Sequence, residues 1–434
     1  MKLTGWGNYP SVDAEIYTPR TFQDVSRLLA RQNSPDLIAR GLGRSYGDSS
    51  LAPHLISTRH LADFVHFDPS TGALSCESGT SFATILSTYV PQGWFLPVTP
   101  GTKFISVGGA IASDVHGKNH HIEGSFCDHL QSFKIALGTG EILQCSREEH
   151  ADLFHATCGG MGLTGIILEA TFVLRRISSA FIDETILKAR NLQECLELFE
   201  EYKDKTYSVA WVDSLATGRS LGRSRLILGE HSVQGDLGSG NARTYKLPFS
   251  LPGALLNRNS VKLLNNIYYR RLIGKKASRH AHYDPFFYPL DRIQDWNRIY
   301  GKKGFTQYQF VLPKNVGFTG VKGMLENIAK SGQTSFLSVL KIFGCENNNL
   351  LSFPMEGYTL TLDFKLDRNP FKLLNEFDRI VLDYGGRLYL TKDARMSEAT
   401  FKQSYAKWEE FRNVRTRYGA DKVFNSMQSI RLGI

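Results

Sequence analysis

The sequence predicts an α+β protein with two or three domains. The chain has 434 residues, of which 42% are hydrophobic, so it is long and apolar enough to bury a sizeable core. In the first half, three glycine-rich loops separate short strands and helices. In the second half, strands and helices follow one another in the manner of an antiparallel sheet with helices on one face.

In the first half, a helix is predicted over residues 21–32, where Thr21 is a capping residue and Asp24 lies in the first turn. One face of this helix is apolar and consists of Phe22, Val25, Leu28 and Leu29. Further along, the patterns predict strands at 37–39 and 165–174, hairpins over 64–78 and 131–145, and a helix at 81–89. We predict that this domain ends at Arg176.

In the second half, strands are predicted at 184–189, 307–312, 336–342, 358–364 and 386–390, and helices at 192–203, 320–330 and 370–384. The predicted organisation is a first domain over 1–176, a second domain over 177–385, and a C-terminal segment over 386–434.

The net charge of +9 is concentrated between residues 237 and 283, a stretch without Asp or Glu. Without the basic residues of this stretch the chain would hold equal numbers of acidic and basic residues. Such a basic and partly apolar insertion favours contact with anionic lipid headgroups, and a solvated loop or nucleic-acid binding are the alternatives. No recognised nucleic-acid module accompanies the charge, so we expect no nucleic-acid partner. The basic residues are Arg243, Lys246, Arg258, Lys262, Arg270, Arg271, Lys275, Lys276 and Arg279, and the apolar ones include Leu251, Leu255 and Leu256.

The six cysteines are widely spaced and form no CxxC pair, which favours reduced thiols over a disulfide framework or a zinc site. The N-terminus has no long apolar region typical of a secretory signal, and no apolar run is long enough to span a membrane. We therefore expect a cytoplasmic protein that contacts the membrane peripherally.

The glycine-rich loops cover residues 40–48, 100–112 and 159–167. Glycine lets backbone N–H groups come close to a phosphate, although tight turns without a ligand are an alternative explanation for each loop alone. A dinucleotide fold of the Rossmann type is disfavoured because the spacing of Gly41, Gly43 and Gly47 is one residue too long for GxGxxG.

Three histidines lie within the stretch HGKNHH at 116–121. Adjacent His120 and His121 would point to different sides, and no Cys or Asp cluster is near, so a metal site is not expected. A histidine and Lys118 lining a pocket beside the second glycine loop is the preferred interpretation.

Together these segments resemble the flavin domain of the vanillyl-alcohol oxidase / p-cresol methylhydroxylase (PCMH) superfamily. The closer resemblance is to the decaprenylphosphoryl-β-D-ribose 2-oxidase family. It rests on HGKNHH at 116–121, GSF at 124–126, GLTGIIL at 162–168, FFYPLD at 286–291, LSFPMEG at 351–357 and GGRLYLTKDAR at 385–395. The resemblance implies that residues 1–176 form a two-subdomain PCMH-type FAD-binding domain. It also implies that the C-terminal segment returns to the FAD site.

The resemblance further implies a set of site residues. The ADP part of FAD would contact Arg40, Gly41, Leu42, Gly43, Arg44, Ser45, Tyr46, Gly47, Asp48 and Ser49. The pyrophosphate and ribityl chain would lie along Gly101, Ser106, Val107, Gly108 and Gly109, and the isoalloxazine near Ser113, Asp114, Val115, His116, Ile167 and Tyr389. The implied catalytic residues are Lys392, Tyr389 and His116, and the substrate residues are Lys118, Gln307, Gln309, Lys341, Phe343 and Thr361.

Two departures from the family pattern matter. Arg44 stands before Ser45, where some superfamily members carry the histidine that tethers FAD covalently, so FAD is expected to be non-covalent. Thr361 replaces the cysteine to which nitroaromatic inhibitors attach in family members, and Thr359 replaces an asparagine.

The implied function is FAD-dependent oxidation of the C2 hydroxyl of a polyprenyl-phosphoryl pentose to the 2-keto sugar. This is the first half of an epimerisation to the arabinose form, which a short-chain-type reductase partner would complete. Lys392 could be a base with a lowered pKa or a charged group that stabilises the alkoxide. The alternatives are a soluble sugar-lactone or alditol oxidase on the same fold and a non-catalytic basic adaptor.

Overall fold

The protein is described by a computed structural model that covers residues 1–31, 35–238, 244–248, 250 and 257–434. The predicted α+β class is confirmed, and the described strands fall into one group of sheets before residue 176 and another after residue 181. Arg243, Leu251, Leu255 and Leu256 of the basic insertion, and Gln32 of the first predicted helix, lie outside the described residues.

The first half combines a parallel sheet and an antiparallel sheet. Strands β3, β5 and β4 form the three-stranded parallel sheet, and β10, β9, β11, β7 and β6 form the five-stranded antiparallel sheet in that order. The strands are β1 (Lys2–Thr4), β2 (Ser11–Asp13), β3 (Glu15–Tyr17), β4 (Leu37–Arg40), β5 (His54–Ser57), β6 (Phe64–Asp68), β7 (Ala73–Glu77), β8 (Trp94–Phe95), β9 (Leu130–Ala136), β10 (Ile142–Ser146), β11 (Ile166–Val173) and β12 (Arg175–Arg176). The helices are α1 (Phe22–Arg31), α2 (Phe82–Tyr89), α3 (Val107–Ala112), α4 (His120–Glu123) and α5 (Ala151–Thr157).

The predicted start of α1 is confirmed. The backbone N–H of Asp24 donates to the Thr21 hydroxyl, and the N–H of Thr21 donates back to the Asp24 carboxylate, each at 3.1 Å. This reciprocal pair satisfies backbone donors that the first turn of a helix leaves free. Val25 and Leu29 are buried on the predicted apolar face.

The second half is built on an eight-stranded antiparallel sheet with the order β17, β13, β15, β14, β20, β21, β19, β22. Helices α6, α9 and α10 contact the same sheet, and α9 contacts both α6 and α10, in keeping with the predicted helices on one face. The strands are β13 (Phe181–Ala189), β14 (Tyr207–Val212), β15 (Ser224–His231), β16 (Tyr245–Lys246), β17 (Lys276–His282), β18 (Ile293–Gln294), β19 (Phe305–Pro313), β20 (Ser335–Phe343), β21 (Gly357–Lys365) and β22 (Arg387–Leu388). The helices are α6 (Leu192–Glu201), α7 (Arg258–Arg270), α8 (Tyr283–Phe287), α9 (Lys314–Ser331) and α10 (Phe371–Asp383).

Most predicted elements differ from their predicted bounds by one to three residues at an end, and α9 differs by more. Helix α9 begins at Lys314, six residues before the predicted start, because its glycines allow close packing on β21. A Cβ on Gly317 would collide with the Tyr358 ring. Strand β22 ends at Leu388 because the chain then turns, with the N–H of Lys392 donating to the Tyr389 carbonyl at 3.0 Å.

The basic insertion is not a loop where the structure describes it. Residues 258–270 form α7, and residues 276–282 form β17 at the edge of the large sheet. Helix α7 packs through Val261 and Asn265, whereas Leu263, Leu264 and Ile267 are about half exposed. The alternative of an irregular loop therefore does not describe residues 258–270 and 276–282.

The chain after β22 continues through α11 (Glu398–Ser404), which packs on α10 and β22, and then through α12 (Trp408–Arg417) and α13 (Met427–Leu432), which contact the first half. The buried Arg415 guanidinium donates to the Leu163 carbonyl at 3.0 Å. Arg431 binds the carboxylates of Asp48 and Asp393, each at 2.8 Å. These contacts hold the C-terminal segment against both the first and the third glycine loop.

Candidate active site

A cavity of about 300 Å³ lies where the glycine loops of the first half meet strands β19, β20 and β21 of the large sheet. This volume is within the range of small-molecule sites. Its wall includes residues from the first half, the second half and the C-terminal segment, so the cavity forms only when all three are folded together.

The first glycine loop presents free backbone donors to the cavity. Among the described residues, none accepts a hydrogen bond from the N–H groups of residues 42–45. Gly43 has a φ of +65°, and this left-handed conformation turns successive N–H groups into an anion-binding nest. This arrangement fits a pyrophosphate.

The second glycine loop approaches the first closely. A Cβ on Gly41 would collide with the hydroxyl of Ser106, which caps α3, whereas a Cβ on Gly101 would meet nothing within 4 Å. The Ser78 hydroxyl at the cavity wall is buried and has no partner among the described residues. A bound ligand with polar groups would satisfy it.

Most of the predicted cofactor residues line this cavity. They are Gly41, Leu42, Gly43, Arg44, Ser45, Tyr46, Ser49, Gly101, Ser106, Gly108, Gly109, Ser113, Val115, His116, Ile167 and Tyr389.

Five predicted cofactor residues do not line the cavity, and each has another role. The Arg40 guanidinium donates to the Thr4 carbonyl at 2.8 Å, and Asp48 is bound by Arg431. Gly47 packs against the Asp393 carbonyl without room for a Cβ, and Val107 belongs to the core. The Asp114 carboxylate accepts hydrogen bonds from four groups, which are the Cys127 N–H and the side chains of Asn347, Asn349 and Ser352.

The sequence did not indicate two tryptophans at the cavity. Trp6 and Trp296 line it, with ring centroids 5.9 Å apart, and the Arg44 guanidinium lies 4.0 Å from the centre of the Trp6 ring. They come from segments almost 300 residues apart, so no local pattern could join them. Other lining residues that were not predicted include Thr58, Ser78, Met161, Gly162, Leu290, Leu337, Val339 and Thr391.

At one end of the cavity, His116 lies in an aromatic cluster. Its ring centre is 5.0 Å from that of Tyr389 and 4.8 Å from that of Phe343. Phe343 packs against His116 and is not among the residues that line the cavity, so its substrate contact stays a prediction. The Tyr389 hydroxyl donates to the Ser113 carbonyl at 3.0 Å.

His116 is neutral at physiological pH. Burial, and then the charge of Lys341, hold its pKa well below the ordinary histidine value. The Gln309 amide nitrogen lies 3.1 Å from His116 Nε2 and also donates to the Thr359 hydroxyl at 3.2 Å. His116 Nδ1 is buried without a partner among the described residues, which leaves one polar atom for a ligand.

The other two histidines of HGKNHH face elsewhere. His120 Nδ1 accepts from the Gly344 N–H at 3.2 Å, and His121 Nε2 lies 2.9 Å from the Lys205 carbonyl oxygen. In the described part of the chain, no cluster of three or more His, Cys, Asp or Glu side chains is arranged to hold a metal ion.

Lysines give this end of the cavity its positive charge. Lys392 and Lys341 line the wall, and Lys392 Nζ lies 3.9 Å from the centre of the Tyr46 ring. Burial lowers the pKa of Lys392 to about 8, against the opposing charge of Asp363. Burial, and then repulsion by Lys392 and Lys118, lower the pKa of Lys341 to about 7.

Lys118 is not among the residues that line the cavity, and its substrate contact stays a prediction. Its ammonium donates to the Phe286 carbonyl and lies 4.1 Å from the centre of the Phe286 ring. Burial lowers the pKa of Lys118 to about 7.

Three polar residues of the large sheet complete the wall. Gln307, Gln309 and Thr361 line the cavity from β19 and β21. Gln309 and Thr361 are direct partners across the antiparallel pair, which brings both side chains to one place on the sheet.

A family model described as an FAD binding domain matches residues 14–146. The chain is 33% identical to decaprenylphosphoryl-β-D-ribose oxidase of Mycolicibacterium smegmatis, over 99% of this chain and 97% of that protein. It is 29% identical to an uncharacterized protein of Streptomyces coelicolor, over 80% of this chain and 97% of that protein. A putative D-arabinono-1,4-lactone oxidase of Neurospora crassa is 27% identical over 38% of this chain and 30% of that protein.

Proposed function

Because the chain belongs to the family of decaprenylphosphoryl-β-D-ribose oxidase, an FAD-dependent oxidase that acts on a hydroxyl, we propose that it oxidises C2 of a polyprenyl-phosphoryl pentose. The product is the 2-keto sugar, and a short-chain-type reductase partner completes the epimerisation to the arabinose form. The observation that carries the proposal is the cationic end of the cavity, where Lys341 and Lys392 meet His116 and Tyr389.

The residues present fit FAD. The nest of residues 42–45 suits a pyrophosphate, and the second and third glycine loops leave space along the cavity for an extended ligand. Arg44 has no nucleophilic atom with which to form a covalent link to the flavin. We therefore propose that FAD is held without a covalent bond.

When bound, FAD supplies the acceptor for the hydride that leaves C2. Lys392 accepts the proton of the C2 hydroxyl, because a pKa of about 8 gives a useful neutral fraction near physiological pH. Lys341, with a pKa of about 7, can hydrogen-bond the substrate phosphate, whose negative charge favours the protonated form of this lysine. Neutral His116 can donate Nδ1–H to a sugar oxygen. Gln307, Gln309 and Thr361 contact the sugar hydroxyls.

We further propose that α7 and the segment after it bind anionic membranes, where a polyprenyl substrate resides. Leu263, Leu264, Ile267 and Ile273 are 60, 47, 56 and 94% exposed, respectively. Lys262, Arg270, Arg271, Lys275 and Lys276 lie beside them, are exposed, and form no ion pair with a described residue. In the described chain no helix is long and apolar enough to cross a membrane.

The function is tested by mixing the FAD-loaded protein anaerobically with a polyprenyl-phosphoryl ribose, a sugar lactone or an alditol. Only the phosphoryl pentose is expected to bleach the flavin absorbance. Borodeuteride trapping should then introduce deuterium at C2. Rapid bleaching by the lactone or the alditol, without bleaching by the phosphoryl pentose, would identify the protein as an oxidase of small sugars. That alternative is favoured only by lactone-oxidase relatives that match about two fifths of the chain.

A further inference from the structure

Asp363 of β21 is a fully buried carboxylate next to the cavity wall. It accepts a hydrogen bond from the Tyr300 hydroxyl at 2.7 Å and one from the Gln307 amide at 2.6 Å. No Lys or Arg nitrogen of the described chain lies within 4.0 Å of it. Gln307 is its direct partner across the β19–β21 pair and lines the cavity.

A buried carboxylate without an ion-pair partner is costly, and the usual result is protonation. Burial raises the pKa of Asp363 to about 6, while the bonds from Gln307 and Tyr300 and the charge of Lys392 act in the opposite direction. The group is therefore mostly ionised at neutral pH. Its negative charge raises the pKa of Lys392, against the effect of burial.

Besides this electrostatic effect, a series of aromatic contacts links Asp363 to Lys392. The Lys392 ammonium lies over Tyr46, whose ring centre is 5.4 Å from that of Phe305. Phe305 in turn stacks on Tyr300 with centroids 4.1 Å apart, and the Tyr300 hydroxyl donates to Asp363. The carboxylate and the lysine are thus held at fixed positions by the same wall.

We propose that Asp363 is a positioning residue for the proposed oxidation: its carboxylate fixes the Gln307 amide in the cavity wall and sets the pH at which Lys392 changes charge. Lys392 in turn lowers the pKa of Lys341 from β20 and of His116, and its ammonium lies over the Tyr46 ring. Among these groups only Asp363 contributes a negative charge. The proposal rests on the role proposed above for Lys392.

The test compares the wild type with Asp363→Asn, which keeps the shape of the side chain and removes its charge. The FAD-loaded proteins are acetylated with acetic anhydride at a series of pH values, and mass spectrometry follows Lys392 with exposed Lys407 as the reference. Only the neutral amine reacts, so the curve gives the pKa of Lys392 without substrate or turnover. We expect this pKa to fall by about one unit in Asp363→Asn.

The pH dependence of flavin reduction should move in the same direction by a similar amount. Asp378→Asn is the control, since Asp378 is also a buried carboxylate that accepts from a tyrosine hydroxyl, that of Tyr308 at 3.0 Å, and it differs from Asp363 in its ion pair with Arg395. The control should lose stability without moving the Lys392 curve. If Asp363→Asn does not retain FAD, Tyr300→Phe should give a smaller shift in the same direction.

An unchanged Lys392 curve in an FAD-loaded Asp363→Asn or Tyr300→Phe variant would overturn the proposal. If the wild type is not reduced by any polyprenyl-phosphoryl pentose, the proposed function fails, and the acetylation curves still decide whether Asp363 controls Lys392.

Discussion

The ammonium of Lys392 lies 3.9 Å from the centre of the Tyr46 ring, and the residue before Lys392 is hydrogen-bonded to the backbone of Tyr46. The Tyr46 N–H donates to the Thr391 carbonyl at 3.0 Å. An ammonium over an aromatic face gains about 0.5–2 kcal/mol, depending on its desolvation. This pair fixes the C-terminal lysine relative to the first glycine loop, so the candidate base and the candidate cofactor cradle have one defined geometry.

Lys392→Ala should keep FAD and lose most of its flavin reduction by substrate. Removing a group that accepts a proton in the reaction lowers the rate by about 10²–10⁴-fold. Anaerobic stopped-flow gives the reduction rate, and the flavin absorbance of the purified variant gives the cofactor content. A variant that is reduced at nearly the wild-type rate would exclude a role for Lys392 in proton transfer.

The wild-type rate of flavin reduction should rise with pH and level off above about 8. The pKa of Lys392 is lowered to about 8, so the ammonium predominates below that pH and the neutral amine above it. A base must be neutral, and its neutral fraction grows about tenfold for each unit well below the pKa. A rate that falls through this range would assign Lys392 the role of a charged stabiliser instead.

Acid precipitation of the purified yellow protein should release all of its flavin into the supernatant. Arg44 occupies the position of the tethering histidine, and its guanidinium stacks on Trp6 at 4.0 Å. Flavin fluorescence that stays with the protein band on a denaturing gel would show a covalent link and contradict this expectation.

Nitroaromatic inhibitors that react with a cysteine should form no adduct with this protein. Thr361 lines the cavity, and no cysteine does. Cys76, Cys127, Cys145, Cys158 and Cys195 are buried, and burial raises the pKa of each, which disfavours the reactive thiolate.

The matched variant for this experiment is Thr361→Cys, which places a thiol at the cavity wall. Intact mass after turnover should show an adduct for the variant and none for the wild type. An adduct on any native cysteine would mean that the inhibitor reaches a different site from the one described.

Replacing Arg270, Arg271, Lys275 and Lys276 with Ser should reduce sedimentation with anionic liposomes and leave the FAD content unchanged. Each basic residue near an anionic surface contributes about 1 kcal/mol, and high salt screens this attraction. The variant should also lose more activity on a long-chain substrate than on a short-chain analogue.

The control for liposome binding is Lys302→Ser with Lys303→Ser, which removes two exposed charges from the loop before β19. This control should sediment like the wild type. If the wild type does not sediment with anionic liposomes at low salt, the exposed apolar residues of α7 do not bind membranes.

The glycine loops could be predicted from the sequence because they are local patterns, whereas Lys392 was selected only by the family resemblance. A loop that brings N–H groups to a ligand needs its glycines at particular places, and these remain visible in the sequence whatever packs around them. Most of the predicted cofactor residues accordingly line the cavity. Arg40, Asp48 and Asp114 are exceptions because their side chains brace the loops from behind.

The Asp363–Gln307 pair could not be predicted because it depends on strand register. The two residues are 56 positions apart, and a shift of one residue between β19 and β21 would turn one of them to the opposite face. The exposed face of α7 could not be predicted either, because it depends on which side chains the helix buries against the rest of the protein. The number of basic residues in the stretch 237–283 that are available to bind an anionic surface is smaller than the charge count suggests. Arg279 forms a two-point ion pair with Glu184.

The clamp of Arg431 on Asp48 and Asp393 has a consequence for the order in which the protein matures. Chains emerge from the ribosome N-terminus first, so the two glycine loops that bear most of the cofactor contacts exist long before Arg431 and Arg415 are made. The sheets of the first and second halves can form in that interval. The cavity wall that carries Lys392 is not held in place until α12 and α13 pack on the first half. Flavin capture is therefore expected to be a late event, and a nascent protein would remain colourless until α12 and α13 have folded.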